Sequence, residues 1–279
     1  MNLPECLSSL KEQTHQSLEV IIADNFSIDK TLQIASDFGC RTLTCGPAPP
    51  RNNFFTAPWQ RKAGAELAEG DFIFFADSDM TFPEHLIERC LATCDEHNAD
   101  AIVVPEISTG EGFWSRCKTL ERLSYLNDES METPRFIRRS AYRKIGGWSE
   151  QAGAFDDFAF WGKIRTYGIK TSRIEVNLWH SEGRLSLGNL FRKKYNMGKS
   201  AKIKELRVGS ARSLIIQLGP LRFLLLRKAM RNGAQPADML GIFLMKTVEG
   251  AGLVMGLMST ALPREGVSYH KIGIVEYGT

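Results

Sequence analysis

No Cys-x-x-Cys pair occurs among the six cysteines of this 279-residue chain, and their scatter fits no disulfide framework. That argues against a zinc ribbon or a thioredoxin-like motif. Reduced thiols and a cytosolic setting are expected. Cys90 and Cys94, one helical turn apart, read as small core residues. There is no internal repeat and no low-complexity tract. With 43% hydrophobic and 24% charged residues, disorder, collagen and coiled-coil fibres are excluded. Residues Met1 to Lys11 lack a basic start followed by an apolar run, so no secretory leader is expected. A chain this long needs no metal or disulfide staple and makes one large or two small domains.

The formal charge of +3 is unevenly placed. From Gly183 to Asn232 there are thirteen Lys and Arg against the single acid Glu205, a surplus of +12, which leaves the remainder at −9. Such a segment is expected to meet something anionic, either nucleic acid or a phospholipid surface, with a solvated basic helix packed on its own domain as the alternative. Its basic residues alternate with the apolar runs 214–216 and 223–226, an interleaving that favours a membrane surface over nucleic acid. The stretch from Met239 to Leu262 is long enough to span a bilayer, but Lys246 and Glu249 sit in its middle. Each charge at a span's centre costs roughly 2.5–3.5 kcal/mol. An in-plane helix, or a hairpin broken around Gly250 and Gly252, is therefore expected rather than a true span, with a buried helix as the alternative.

The first two-thirds alternates short apolar runs with helical stretches. Strands are predicted at 18–23, 41–44, 71–76 and 101–105, and helices at 4–12, 30–38, 60–67 and 83–94. That alternation predicts an α/β fold with a mainly parallel sheet, in which ligands bind beyond the carboxyl ends of strands. Two polar turns fall there, one at Asp24 and one at Asp77-Ser78-Asp79. Beyond Gly183 basic and apolar helices take over, so the domains are expected at 1–185 and 186–279.

Four groups of residues can carry chemistry. Asp77 and Asp79 flank Ser78 after the run FIFFA, where both carboxylates can approach one hard divalent cation shared with phosphates; a solvated acidic turn is the alternative. Asp24, with Asn25 beside it, can accept hydrogen bonds from a base or ribose, while Asp29 caps the following helix. Asp156-Asp157 between Phe155 and Phe158 can supply a general base, or simply favour a helix N-terminus. His180, in Trp179-His180-Ser181-Glu182-Gly183, is a structural hydrogen-bonder on its own and a ligand candidate beside a metal.

The order of these blocks resembles the family-2 glycosyltransferases of the GT-A fold. The likeness rests on D-N-x-S-x-D-K-T at 24–31, Gln60-Arg61-Lys62-Ala63-Gly64, the A-x-G-D-F-I-F-F-A-D-S-D-M block at 68–80, Gly146-Gly147-Trp148, Asp156-Asp157 and His180-x-Glu182-Gly183. The resemblance implies sugar transfer from a nucleotide donor, usually with inversion. It implies that Asp24 holds the nucleoside, with Asn25, Ser78 and Asp77 in the donor-binding set, and that Arg61 lies near the nucleoside or the diphosphate. It implies that Asp79, helped by Asp77, binds Mg2+ or Mn2+, that His180 completes or flanks that site, and that Asp157, paired with Asp156, deprotonates the acceptor. Two departures stand out. Asp156 occupies a position where the family usually has Glu, and the family's opening strand is not in this sequence, so an N-terminally truncated domain is expected. The donor is expected to be a UDP- or GDP-sugar. The acceptor is expected to be lipid-linked or a surface glycan, met at the cytoplasmic face of the cell membrane. Two rivals remain at this point. FIFFADSDMT also fits a haloacid-dehalogenase phosphatase with Asp77 as nucleophile, and the chain could be an inactive membrane-bound remnant.

Overall fold

A computed structural model describes residues 3–46, 56–128, 132–150, 152, 156–200 and 230–261. Phe155, residues 47–50 and the apolar runs within 214–226 lie outside the described residues. Helix α1 (Leu3–Lys11) leads into β1 (Ile21–Asp24), α2 (Thr31–Asp37) and β2 (Arg41–Thr44). Next come α3 (Ala57–Leu67), β3 (Phe72–Phe74), β4 (Met80–Thr81), α4 (Leu86–His97), β5 (Ala101–Val103) and β6 (Glu106–Glu111). They are followed by α5 (Gly112–Leu123), β7 (Phe136–Arg138), α6 (Arg139–Lys144), α7 (Asp156–Thr166), β8 (Thr171–Arg173) and β9 (Leu178–Arg184). Two C-terminal helices are described, α8 (Leu187–Ser200) and α9 (Pro236–Ala261).

The strands form three sheets, ordered β1-β2, β3-β7-β5-β8 and β4-β9-β6. The fold is α/β, but the pairing is mixed rather than mainly parallel. β1/β2, β5/β8 and β6/β9 are parallel, whereas β7 runs antiparallel to both β3 and β5, and β4 antiparallel to β9. Each antiparallel ladder is only two or three residue pairs long, too short to show a hydrophobic period in the sequence. Among the described residues β1 pairs only with β2, and β3 only with β7.

Alternation along the central strands divides the core in two. Ile102 and Phe136 pack with Leu86, Cys90 and Cys94 of α4, while Ile73, Ala101 and Ile137 pack with Phe160 and Ile164 of α7. Apolar residues of α4 recur at one and four-residue steps and face the sheet, and the helix stops at Asn98 in the left-handed conformation. Cys90 and Cys94 are buried, and burial pushes their thiols up to about 12 and about 11, so they act as core side chains.

The C-terminal helices pack on this framework through α5. Cys117 and Leu120 of α5 meet Leu190 of α8 and Ile242 and Met245 of α9. Helix α9 is continuous across Gly250 and Gly252, so the expected hairpin does not form. The reason is packing. A Cβ at Gly252 would lie 2.6 Å from the Phe191 carbonyl oxygen, and one at Gly256 would collide with that of Tyr195. These glycines let α9 approach the α8 backbone closely, which outweighs their roughly 1 kcal/mol helix cost. By length and composition the segment Pro236–Ser259 could cross a membrane. Lys246 and Glu249, however, turn inward to α5.

Candidate active site

Strand ends of the second and third sheets converge on the acidic residues. Asp77 follows β3 after a buried apolar run, as a polar residue at the carboxyl end of a buried strand should. The backbone N–H of Ser181 donates to the Asp79 carbonyl at 2.9 Å, and Met80 pairs with His180 across β4 and β9. Glu106 opens β6 directly beside β9. Asp156 and Asp157 form the first turn of α7, so their helix-terminus and site readings hold together.

A string of alternating charges joins these groups. Arg61, on α3, donates to Asp156 at 2.7 Å and Asp157 at 3.3 Å through one nitrogen, and to Asp77 at 2.9 Å through the other. Its guanidinium lies 4.8 Å over the Trp148 ring, which is stacked on Phe160 at 4.1 Å. The turn carrying Trp148 needs its two glycines. Gly146 and Gly147 have φ of 69° and 60°, and a Cβ at Gly147 would meet the Tyr142 hydroxyl at 2.6 Å. Arg135 donates to the other Asp77 oxygen at 3.3 Å and to Glu106 at 2.9 Å. Glu106 also accepts from His180 Nδ1 at 2.6 Å and pairs with Arg122 at 2.6 Å. His180 Nε2 lies 3.1 Å from Asp79 Oδ1.

These contacts set the protonation states. Burial acts to raise the Asp77 carboxyl, but Arg135 and Arg61 outweigh it and hold it well below the usual range. Glu106 is treated the same way by Arg122, His180 and Arg135. Burial would lower His180, yet Asp79 and Glu106 raise it to about 9. Asp156 moves oppositely. Burial and the adjacent Asp157 push it up to about 7 despite Arg61.

At the edge of the third sheet, Asp79 and His180 are two residues of the kind that could contribute to a divalent-cation site. As placed, His180 bridges Glu106 through Nδ1 and Asp79 through Nε2; a cation replacing the Nε2 proton would find Nδ1–H held by Glu106, the arrangement by which a carboxylate orients a metal-bound histidine. Among the described residues no group of three or more His, Cys, Asp or Glu is gathered for a metal. Asp79 and His180 therefore make an incomplete set that a ligand's phosphate oxygens would finish. The two oxygens of Asp77 are taken by Arg61 and Arg135.

A cavity of about 300 Å3 opens beside this string and is lined by Arg61, Asp77, Glu106, Trp148, Asp157 and His180. Asp157 is half exposed, whereas Asp156 is buried. Helices α5, α8 and α9 add Lys118, Glu121, Lys194 and Lys246 to the same cavity. Asp24, Asn25 and Ser78 lie apart from its lining. The Asp24 carboxylate is buried and accepts from the Ser27 N–H at 3.0 Å, and Asn25 Nδ2 donates to the Cys45 carbonyl at 2.9 Å. Both shape the turn after β1. Ser78 is exposed. Glu106 and Arg135 did not stand out in the sequence. Glu106 carries the signal already used for Asp77, an acid just past the buried run 101–105.

Residues 1–151 match the description of glycosyl transferase family 2. The chain belongs to that family. Poly(ribitol-phosphate) beta-N-acetylglucosaminyltransferase TarS of Staphylococcus aureus is 29% identical over 113 residues, 37% of this chain and 18% of that one. Glycosyltransferase GlyG of Streptococcus pneumoniae is 28% identical over 101 residues, 36% of this chain and 33% of the relative. The matches thus span a third or less of these relatives. Residues 1–349 of TarS in complex with UDP superpose with a TM-score of 0.51 at 16% identity, over 98% of this chain and 90% of that one. The Pyrobaculum calidifontis mannosyltransferase PcManGT, in complex with GDP-Man and Mn2+, gives 0.58 at 16% identity, over 94% and 84%. At such identities the likeness establishes the GT-A fold. Family membership displaces the phosphatase reading. The charge pattern agrees, since a carboxylate bound by two guanidiniums is a poor nucleophile.

Proposed function

We propose that this chain is an inverting, metal-dependent glycosyltransferase that moves a sugar from a nucleoside-diphosphate donor. The observation that carries the reading is the shared cavity in which half-exposed Asp157 faces the same space as Arg61 and His180. Inversion needs one base opposite the leaving group. Asp157 is the base and takes the acceptor hydroxyl's proton on its carboxylate. Arg61 and buried Asp156 hold Asp157 in place. Asp79 and His180 would hold Mg2+ or Mn2+ against the donor diphosphate, and a cation bound there would neutralise charge on the departing nucleoside diphosphate. Glu106 fixes the His180 ring so that Nε2 faces Asp79. Asp24, Asn25 and Ser78 belong to the nucleoside side, with Asp24 setting the turn after β1. UDP in TarS and GDP-Man with Mn2+ in PcManGT support a donor of either kind.

The acceptor is lipid-linked or a surface glycan, met at the cytoplasmic face of a membrane. Helix α9 exposes Leu240, Phe243, Leu244, Val254, Met255 and Met258 opposite the face packed on α5 and α8. The basic stretch 183–232 complements an anionic surface, each residue near it contributing roughly 1 kcal/mol. An in-plane α9 satisfies both and keeps Lys246 and Glu249 paired. If the protein stayed in the supernatant with anionic vesicles at low salt, the membrane part would fall.

The test of the chemistry is Asp157→Asn, assayed for nucleoside diphosphate release from UDP- and GDP-sugars with membrane extract as acceptor. Release should drop roughly 10²–10⁴-fold, the usual contribution of a general base, while nucleotide affinity holds. Undiminished release by the variant would remove Asp157 from the mechanism, and an absence of release by the parent chain would favour an inactive remnant.

A further inference from the structure

Helices α5, α8 and α9 bring five charged side chains together beside the cavity: Lys118, Glu121, Lys194, Lys246 and Glu249. The two acids are used by two lysines. Glu121 accepts from Lys246 at 2.5 Å and from Lys118 at 3.0 Å. Glu249 accepts from Lys118 at 3.4 Å and pairs closely with Lys246. Lys194 is the third lysine. It lines the cavity and, among the described residues, makes no hydrogen bond or ion pair of its own.

The cluster therefore carries one surplus positive charge, turned toward enclosed space. Burial chiefly, together with Lys118 and Lys246, pushes the Lys194 amine down to about 8, and Glu249 offsets this only in part. An ammonium without a partner in such a place is costly to keep, and an anion supplied from the cavity would relieve that cost. A compact ammonium is suited to phosphate as a point charge. Lys194 also shares α8 with Arg192, Lys193 and Lys199, and that helix carries no acid, so its charge favours an anionic molecule at this end of the cavity.

We propose that Lys194, backed by Lys118 and Lys246, is a subsite that binds a phosphate group carried by the acceptor. This rests on the transferase reading, because it places the acceptor in the same cavity as Asp157. The subsite would select phosphorylated acceptors over neutral sugars and set the distance from phosphate to the hydroxyl that reacts.

The experiment titrates the full chain, with UDP kept saturating so that the donor side is filled, and follows binding by calorimetry. Glycerol 3-phosphate is the soluble probe, dihexanoyl phosphatidic acid below its micelle concentration is the lipid probe, and glycerol is the neutral control. At least one phosphate probe should bind and glycerol should not. Lys194→Met should weaken phosphate binding by roughly tenfold or more, as expected for a hydrogen bond to a charged group, and Lys194→Arg should stay within about threefold. Tighter binding of the lipid probe would mark a lipid-linked phosphate, and the reverse a glycan or soluble one; both support the subsite. Equal affinity in Lys194→Met and the parent chain overturns it, as does phosphate binding that UDP abolishes. UDP binding without Lys194-dependent phosphate binding would leave the transferase reading standing and sink this one. Lys194-dependent phosphate binding without any nucleotide binding would do the opposite.

Discussion

Replacing Glu249 by Gln removes one of the three acids, with Glu121 and Asp238, that hold α9 to α5 while keeping its shape. In the native protein Glu249 is 4% exposed and pairs with Lys118 and Lys246. Burial would raise its carboxyl, but those lysines lower it from the ordinary 4.5 to about 2. At 1.36 kcal/mol per pH unit the interaction is worth about 3 kcal/mol. Breaking a buried pair by removing one partner costs about 3–5 kcal/mol, so the two routes agree. The variant leaves Lys118, Lys194 and Lys246 facing Glu121 alone. A group whose folded pKa lies below its unfolded one contributes above the unfolded value, and loses that contribution as pH falls toward the folded one. The difference from the parent chain should thus be full at pH 7 and shrink from about pH 4.5 toward pH 2. Urea unfolding of both proteins at pH 7 and at pH 3.5 measures it. A loss under 1 kcal/mol at pH 7 would refute the inward docking of α9, since a helix lodged elsewhere would not feel the change.

Two other outcomes can be checked on the same footing. Gly256→Ala puts a methyl into the Tyr195 carbonyl, a backbone atom that cannot step aside; it should cost about 1–3 kcal/mol, and unchanged unfolding would mean that α8 and α9 do not meet as described. Asp156, raised to about 7 from 3.8, makes the folded state bind its proton more tightly, so stability falls as pH rises from about 4 to about 7. Asp156→Asn should remove that fall and gain up to about 4 kcal/mol at pH 8, while a variant less stable than the parent at pH 8 would contradict the shift.

Much of the fold could be read from local pattern. The runs at β1, β3 and β5 are largely apolar, and α4 carries an apolar face at Leu86, Ile87, Cys90 and Cys94, so both kinds of element were visible. β4, β7 and β8 were not, because two or three residues show no period and their strand state comes from neighbours. Helix α9 was misjudged at Gly250 and Gly252, since glycine reads as a break until a facing backbone explains it. Position relative to a strand end brought out Asp77 and Asp79, and the paired acids brought out Asp157. The same rule applied once more would have found Glu106. Arg135 and Lys194 carried no such mark. Their significance lies in partners 58 and 29 residues away in Asp77 and Glu106 for one, and in the lack of a hydrogen-bond or ion-pair partner among the described residues for the other.

The most direct test of the central claim is calorimetric titration of the chain with UDP, and in parallel GDP, with and without Mn2+. Asp79→Ala serves as the control. Binding of one nucleotide that strengthens with Mn2+, and loses that gain in Asp79→Ala, is the result expected if Asp79 and His180 hold a cation against a donor diphosphate. Binding of neither nucleotide, or binding indifferent to both Mn2+ and Asp79, would contradict the account.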